Sequence, residues 1–166
     1  RVEVRFQDYR DVTEKFDRIA SIEMFEAVGE QYWPAYFSKV RDCLTPGGLA
    51  GLQIITIDDR SFESYRKGVD FIQRYVFPGG MLPSTSALKR QVSQAGLSWK
   101  TNVEFGLDYA ETLARWRDRF QSAWPEIREM GFDERFRRLW DFYLAYCEAG
   151  FRTGNVDVTQ LTLSRP

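Results

Sequence analysis

Between Phe16 and Ile57 the hydrophobic period of this chain changes twice, and that change restricts the possible folds more than any other feature. Residues 19–24 form a short, mostly apolar run that reads as a strand, and Gly29 breaks it. Tyr32, Tyr36, Phe37, Val40 and Leu44 then recur at helical spacing. Pro46-Gly47-Gly48 is expected to end this helix, with glycine supplying a positive-φ cap, and 49–57 is apolar at nearly every position. A strand that is apolar on both sides needs cover on both faces, as in the parallel sheets of α/β proteins. Strand, helix and strand joined by short links predict a right-handed parallel crossover. Ligands of open α/β sheets bind beyond the carboxyl ends of the strands. Glu23 and Glu26, at the end of the first of these strands, stand where chemistry is expected.

The rest of the chain continues the α/β pattern. Residues 2–6 alternate apolar and polar and read as a strand, followed by a polar turn over 7–11. One helix is predicted over 61–75, then an apolar loop over 76–83. Ser84 is placed to cap a helix that runs to Gln94 and closes at Gly96. A strand over 97–105, two aromatic-rich helices over 108–123 and 133–149, and a final antiparallel strand over 156–164 complete the reading. There is no internal repeat or low-complexity tract, so residues 1–166 read as one domain, or most of one. The chain opens on Arg1 and enters its first strand at once, which suggests a portion of something longer.

Composition removes several classes of function. At 166 residues and 43% apolar content the chain can bury a sizeable core. A net charge of -1 gives no basic footprint, so no nucleic-acid partner is expected. Histidine is absent, which eliminates histidine triads, imidazole bases and most zinc sites. Cys43 and Cys147 lie outside any CxxC spacing, and no metal site is expected. No transmembrane segment or leader peptide is evident, and a cytoplasmic location is the default. Arg115, Arg117, Arg119, Arg135, Arg137, Arg138 and Arg152 alternate with aromatic residues. They form either a solvated basic face or a local patch for anionic lipid head groups.

Three groups of residues could carry chemistry. Gln7-Asp8-Tyr9 combines an amide, a carboxylate and an aromatic plane, a set that suits adenine or simply a solvated turn. Glu23 and Glu26 share a face if the chain turns helical after Met24, and point to opposite sides if it stays extended. The loop containing Phe77, Met81 and Leu82 packs on its own core or lines an apolar ligand site.

Four motifs in order then point to a family. They are Phe16-Asp-Arg-Ile-Ala-Ser-Ile-Glu-Met-Phe-Glu-Ala-Val-Gly29, Phe77-Pro-Gly-Gly-Met-Leu-Pro-Ser84, Phe105-Gly-Leu-Asp-Tyr-Ala-Glu-Thr-Leu113 with Trp116, and Ala149-Gly-Phe-Arg152. Together they resemble the cyclopropane-fatty-acyl-phospholipid synthase family, which includes the mycolic acid cyclopropane synthases. The resemblance implies the Rossmann-like class I methyltransferase fold, here without the first strands and the glycine-rich loop. It implies transfer of a methyl group from S-adenosylmethionine to a cis double bond of an unsaturated phospholipid at the inner face of the membrane. The product is a cyclopropane or a methylated acyl chain, and a bound bicarbonate takes up the proton. By resemblance Glu26 holds the bicarbonate, Tyr109 contacts it and faces the cation, and Ile55 offers a backbone contact. Gln53 falls where most members have histidine. Gln7, Asp8, Tyr9 and Ile22 match adenosine-side positions. Phe25, Phe77, Gly79, Gly80, Leu82, Phe105 and Trp116 are implied lining for the acyl tunnel, with 61–83 and 108–149 lying over it. Glu23 is left as a structural or solvated residue. The alternatives are a same-fold methyltransferase acting on another alkene or small molecule, and a non-catalytic remnant that binds lipid or a partner.

Overall fold

The computed structural model describes residues 2–166. Its sheet has four strands in the order β1-β2-β4-β3, where β1 is Phe16–Ile22, β2 Leu44–Ile57, β3 Ser98–Glu104 and β4 Val156–Ser164. β1 and β2 are parallel, and β4 runs antiparallel to both β2 and β3. The parallel crossover passes through α1 (Trp33–Cys43), and α4 is Thr85–Gln94. As the sequence predicts, Ser84 caps α4 by accepting from the Ala87 amide, and Gly96 follows it with φ 74°.

Side-chain alternation along β2 and β4 divides the core in two. Ala50, Leu52, Ile54, Leu161 and Leu163 join a cluster with Phe37 and Val40 of α1 and Leu88 and Val92 of α4. On the other face, Val158 and Ile55 meet Ala110 and Leu113 of α5 (Gly106–Ser122) and Leu144 and Phe151 of α7 (Glu134–Arg152). Because successive side chains point to opposite faces, Gln53 and Ile55 look toward α5 and α7. In the antiparallel register Gln53 stands opposite Gln160.

Four expectations are corrected. Residues 2–6 form no strand: Val2, Val4 and Phe6 are exposed, and no described strand pairs with them. An isolated run has nothing to satisfy its backbone groups but water. Pro46-Gly47-Gly48 does not cap α1, because the chain turns extended at Leu44 and these residues form an irregularity inside β2. The free carbonyls at the helix end are taken instead by Arg165, whose Nη1 donates to Leu44 O at 2.7 Å and Arg41 O at 3.2 Å. The single helix over 61–75 is two, α2 (Asp59–Lys67) and α3 (Phe71–Tyr75). They are separated where Asp70 and Gln73 form a reciprocal capping box. A further short helix, α6 (Trp124–Glu129), lies between the two aromatic helices.

β1 stops at Ile22 because Glu23 takes φ 49°, the one positive φ outside glycine among the described residues. Such a conformation is uncommon for a residue with a side chain. A 3-10 turn over Phe25–Ala27 follows at once.

Candidate active site

The carboxyl end of β1 brings both glutamates together with residues from β2, β4 and α5. The Glu23 amide donates to Gln53 O at 2.8 Å, which continues the ladder one residue past the strand. Its side chain then accepts twice, from Gln53 Nε2 at 2.7 Å on Oε1 and from Tyr109 Oη at 3.0 Å on Oε2. Gln160 Nε2 donates to Gln53 Oε1 at 2.8 Å, so a continuous network runs from β4 through β2 to Glu23 and α5. Sequence reasoning set Glu23 aside. The signal that could have retained it was its position, three residues before Glu26 in a segment that does turn helical after Met24.

Glu26 lies deeper. Its Oε1 accepts from the Ile55 amide at 2.5 Å, while Oε2 is buried without a hydrogen-bond partner. Burial pushes the carboxyl pKa above its ordinary value, the Ile55 bond opposes that, and the Glu23 charge adds a small upward push. Tyr109 is raised more strongly, first by burial and then by the Glu23 carboxylate. Its ring packs on Phe151 at 4.9 Å and edge-on to Trp116 at 6.2 Å.

Tyr109 is held in place by the start of α5. Asp157 Oδ1 accepts from the Gly106 amide at 2.8 Å, which satisfies a free donor at the helix N-terminus. A Cβ at Gly106 would lie 2.8 Å from that oxygen, so a larger residue there would push the Asp157 carboxylate away from the amide.

The loop over 76–83 lies against the Glu26 segment. Met81 N donates to Glu26 O at 2.9 Å, and Gln73 Nε2 donates to Gly80 O at 2.9 Å. A cavity of about 410 Å³ opens beside it, lined by Glu30, Val69, Gln73, Gly79, Gly80 and Met81 among others. Gly79 and Gly80 therefore line a cavity. Phe77 is exposed with its ring against Tyr143, Leu82 is half-buried on the core, and Phe105 packs on the α5–α7 cluster. Trp116 is partly exposed beside Tyr109. Phe25 is corrected: it is fully buried among Trp33, Tyr36 and Phe37, and lines no surface.

Of the adenosine-side set, Gln7 and Ile22 are exposed, and the Tyr9 ring sits edge-on to Tyr36 at 5.7 Å. Tyr36 Oη donates to Ser21 Oγ at 2.8 Å, which ties Tyr9 to the end of β1. Asp8 caps its own turn and is held down to a pKa of about 2 by the Arg10 guanidinium and amide. Among the described residues no group of acidic and cysteine side chains could hold a metal ion.

Residues 1–161 match the family model of mycolic acid cyclopropane synthetase. Tuberculostearic acid methyltransferase UfaA1 of Mycobacterium tuberculosis is 45% identical over 166 residues, covering 99% of this chain and 39% of the relative. Cyclopropane-fatty-acyl-phospholipid synthase of Escherichia coli is 38% identical over 165 residues, covering 99% of this chain and 41% of the relative. The chain thus spans about two fifths of the length of these relatives. The solved mycolic acid cyclopropane synthase CmaA1, complexed with SAH and CTAB, superposes with a TM-score of 0.85 at 28% identity, covering 94% of this chain and 57% of that one. The fold is that of the class I S-adenosylmethionine methyltransferases. On sequence and architecture alike, the chain belongs to the mycolic acid cyclopropane synthetase family.

Proposed function

We propose that the protein containing this chain transfers a methyl group from S-adenosylmethionine to a cis double bond in an unsaturated phospholipid acyl chain, working in the cytoplasm at the inner face of the membrane. The observation that carries this reading is the buried, half-satisfied carboxylate of Glu26, three residues after the Glu23 carboxylate to which Tyr109 Oη donates. Methyl transfer to an alkene leaves positive charge on the neighbouring carbon. A fixed carboxylate and an aromatic face in a site of low polarity stabilise such a charge where it develops. A glutamate held by a single backbone amide is pre-oriented for that role. Bound S-adenosylmethionine supplies the electrophilic methyl. Tyr9 offers its adenine ring a flat neighbour, while Gln7 and the ionised Asp8 offer hydrogen bonds to the exocyclic amine; Ile22 adds apolar contact.

The segments over 61–83 and 108–149 are assigned to the acyl chain, with Gly79 and Gly80 at the cavity that Glu30, Val69, Gln73 and Met81 also line. Among the described residues no helix is long and apolar enough to cross a membrane, so lipid is taken from the surface in this reading. The names of the two relatives favour an acyl-chain substrate over a small molecule or a non-catalytic role.

Bicarbonate, the proton acceptor implied by the family resemblance, fits this site poorly. The Ile55 amide already donates to Glu26, and Gln53 Nε2 and Tyr109 Oη already donate to Glu23.

The test is to incubate the full-length protein with methyl-labelled S-adenosylmethionine and vesicles of a cis-unsaturated phospholipid. A mass gain of one methylene in the acyl chain is expected, abolished in Glu26→Gln with cofactor binding retained. Bound cofactor with no gain would overturn the reading.

A further inference from the structure

We propose that Glu23 is the proton acceptor of this site, supplying from within the chain the carboxylate that a diffusible anion would otherwise bring. The inference rests on the function proposed above. Its basis is where the donors point. Gln53 Nε2 and Tyr109 Oη, the two side-chain donors expected to surround an anion, both converge on the Glu23 carboxylate, at 2.7 and 3.0 Å. The Ile55 amide is spent on Glu26. A carboxylate and a bicarbonate present the same planar pair of oxygens, and here the chain's own group occupies both donors.

Two further observations agree. Glu23 holds a positive φ of 49°, a backbone conformation that costs free energy for a residue with a side chain. Such strain is retained where surrounding contacts over-determine it, and here the Gln53 carbonyl fixes the backbone while Gln53 and Tyr109 fix the side chain. In addition, Glu23 and Glu26 are close enough for one charge to influence the other. A bound bicarbonate would be a third negative charge beside the two glutamates and would be repelled by both.

The step balances without an added reactant. The alkene π pair forms the bond to the sulfonium methyl, and the sulfur–carbon pair stays on sulfur. The cation left on the second alkene carbon is neutralised when a carbon–hydrogen bond of the new methyl breaks and its electron pair forms the second carbon–carbon bond. The released proton goes to Glu23, whose oxygens each retain a free lone pair beyond the bonds they accept. The neutral acid is then exposed to solvent, and water removes the proton.

The experiment compares the full-length native protein with Glu23→Gln and Glu23→Gly, in buffer stripped of carbon dioxide and in buffer with added bicarbonate. The native rate is expected to be insensitive to bicarbonate. Glu23→Gln, which keeps hydrogen-bonding groups but no basic oxygen, is expected to lose about 100-fold or more in kcat with KM little changed. Glu23→Gly, which relieves the backbone and frees both donors, is expected to become dependent on added bicarbonate. A second measurement needs no turnover: the carbon-13 resonance of labelled bicarbonate should broaden in the presence of Glu23→Gly and not of the native protein. A native enzyme that stops without bicarbonate and restarts with it overturns the inference, as does broadening by the native protein. Failure of every form to methylate lipid contradicts the proposed function instead, and the carbon-13 measurement still decides the role of Glu23.

Discussion

Tyr109 Oη donates to Glu23 Oε2 at 3.0 Å, across 86 residues of sequence, and so joins α5 to the end of β1. The hydroxyl and the ring of Tyr109 therefore have separable tasks. Tyr109→Phe removes one partly exposed hydrogen bond and should cost about 1 kcal/mol of stability and up to about tenfold in rate. Tyr109→Leu also removes the aromatic face, so a further loss of roughly tenfold is expected if the ring stabilises a cation. Steady-state rates of the two variants with one lipid substrate check this. Equal rates would assign the whole effect to the hydroxyl.

The attachment of α5 to β4 gives a second prediction. Asp157 Oδ1 accepts from the amides of Gly106 at 2.8 Å and Val158 at 2.7 Å. Asp157→Ala leaves both without that partner and should cost about 1–2 kcal/mol, read as a lower midpoint in urea. Because Tyr109 lies in the first turns of the same helix, activity should fall even under conditions where the variant is fully folded.

The parts of this fold that depend on local periodicity were legible in the sequence. α1, the body of β2, α4 and β4 follow directly from the spacing of apolar residues, because each helix buries one regular face and the two strands pack on both. What was not legible depends on residues far away in sequence. Pro46-Gly47-Gly48 has the letters of a helix cap, yet Arg165, 121 residues after Leu44, takes the helix carbonyls instead. Residues 2–6 have the letters of a strand, but a strand forms only against a partner. The motif singled out Glu26, and the structure buries its carboxylate against the Ile55 amide. Glu23 was not legible, because its role comes from a left-handed backbone and from partners on β2 and α5, neither of which local pattern can report.

Phe25 illustrates the same limit and gives a third prediction. Flanked by candidate site residues, it reads as tunnel lining, yet its ring is enclosed by Trp33 at 5.3 Å, Tyr36 at 4.9 Å and Phe37 at 5.2 Å. Phe25→Ala should destabilise the protein by about 3–5 kcal/mol through lost burial and an unfilled cavity. Phe25→Leu should cost much less. Chemical denaturation of both variants measures the difference, and near-native stability in Phe25→Ala would place the ring outside the core.

Glu26 links stability to pH in a direction opposite to most carboxylates. Burial raises its pKa in the folded chain above the ordinary 4.5, so the folded state prefers the neutral acid. The unfolded chain releases this proton near the ordinary value, and the folded chain only at higher pH. Between those points the unfolded state binds fewer protons, so stability falls as pH rises. The contribution is fully present below about 4.5 and is lost as pH rises through the folded value. Glu26→Gln keeps a carbonyl oxygen for the Ile55 amide and cannot ionise. Thermal midpoints of the two proteins should therefore coincide below the ordinary carboxyl pKa and separate as pH approaches neutrality, with the glutamine variant the more stable. The gap should be modest, because the Ile55 bond to the ionised group offsets part of the burial cost. A native protein more stable than Glu26→Gln at neutral pH would mean that the charged carboxylate is compensated within the fold, and its placement as a destabilising, functional charge would be wrong.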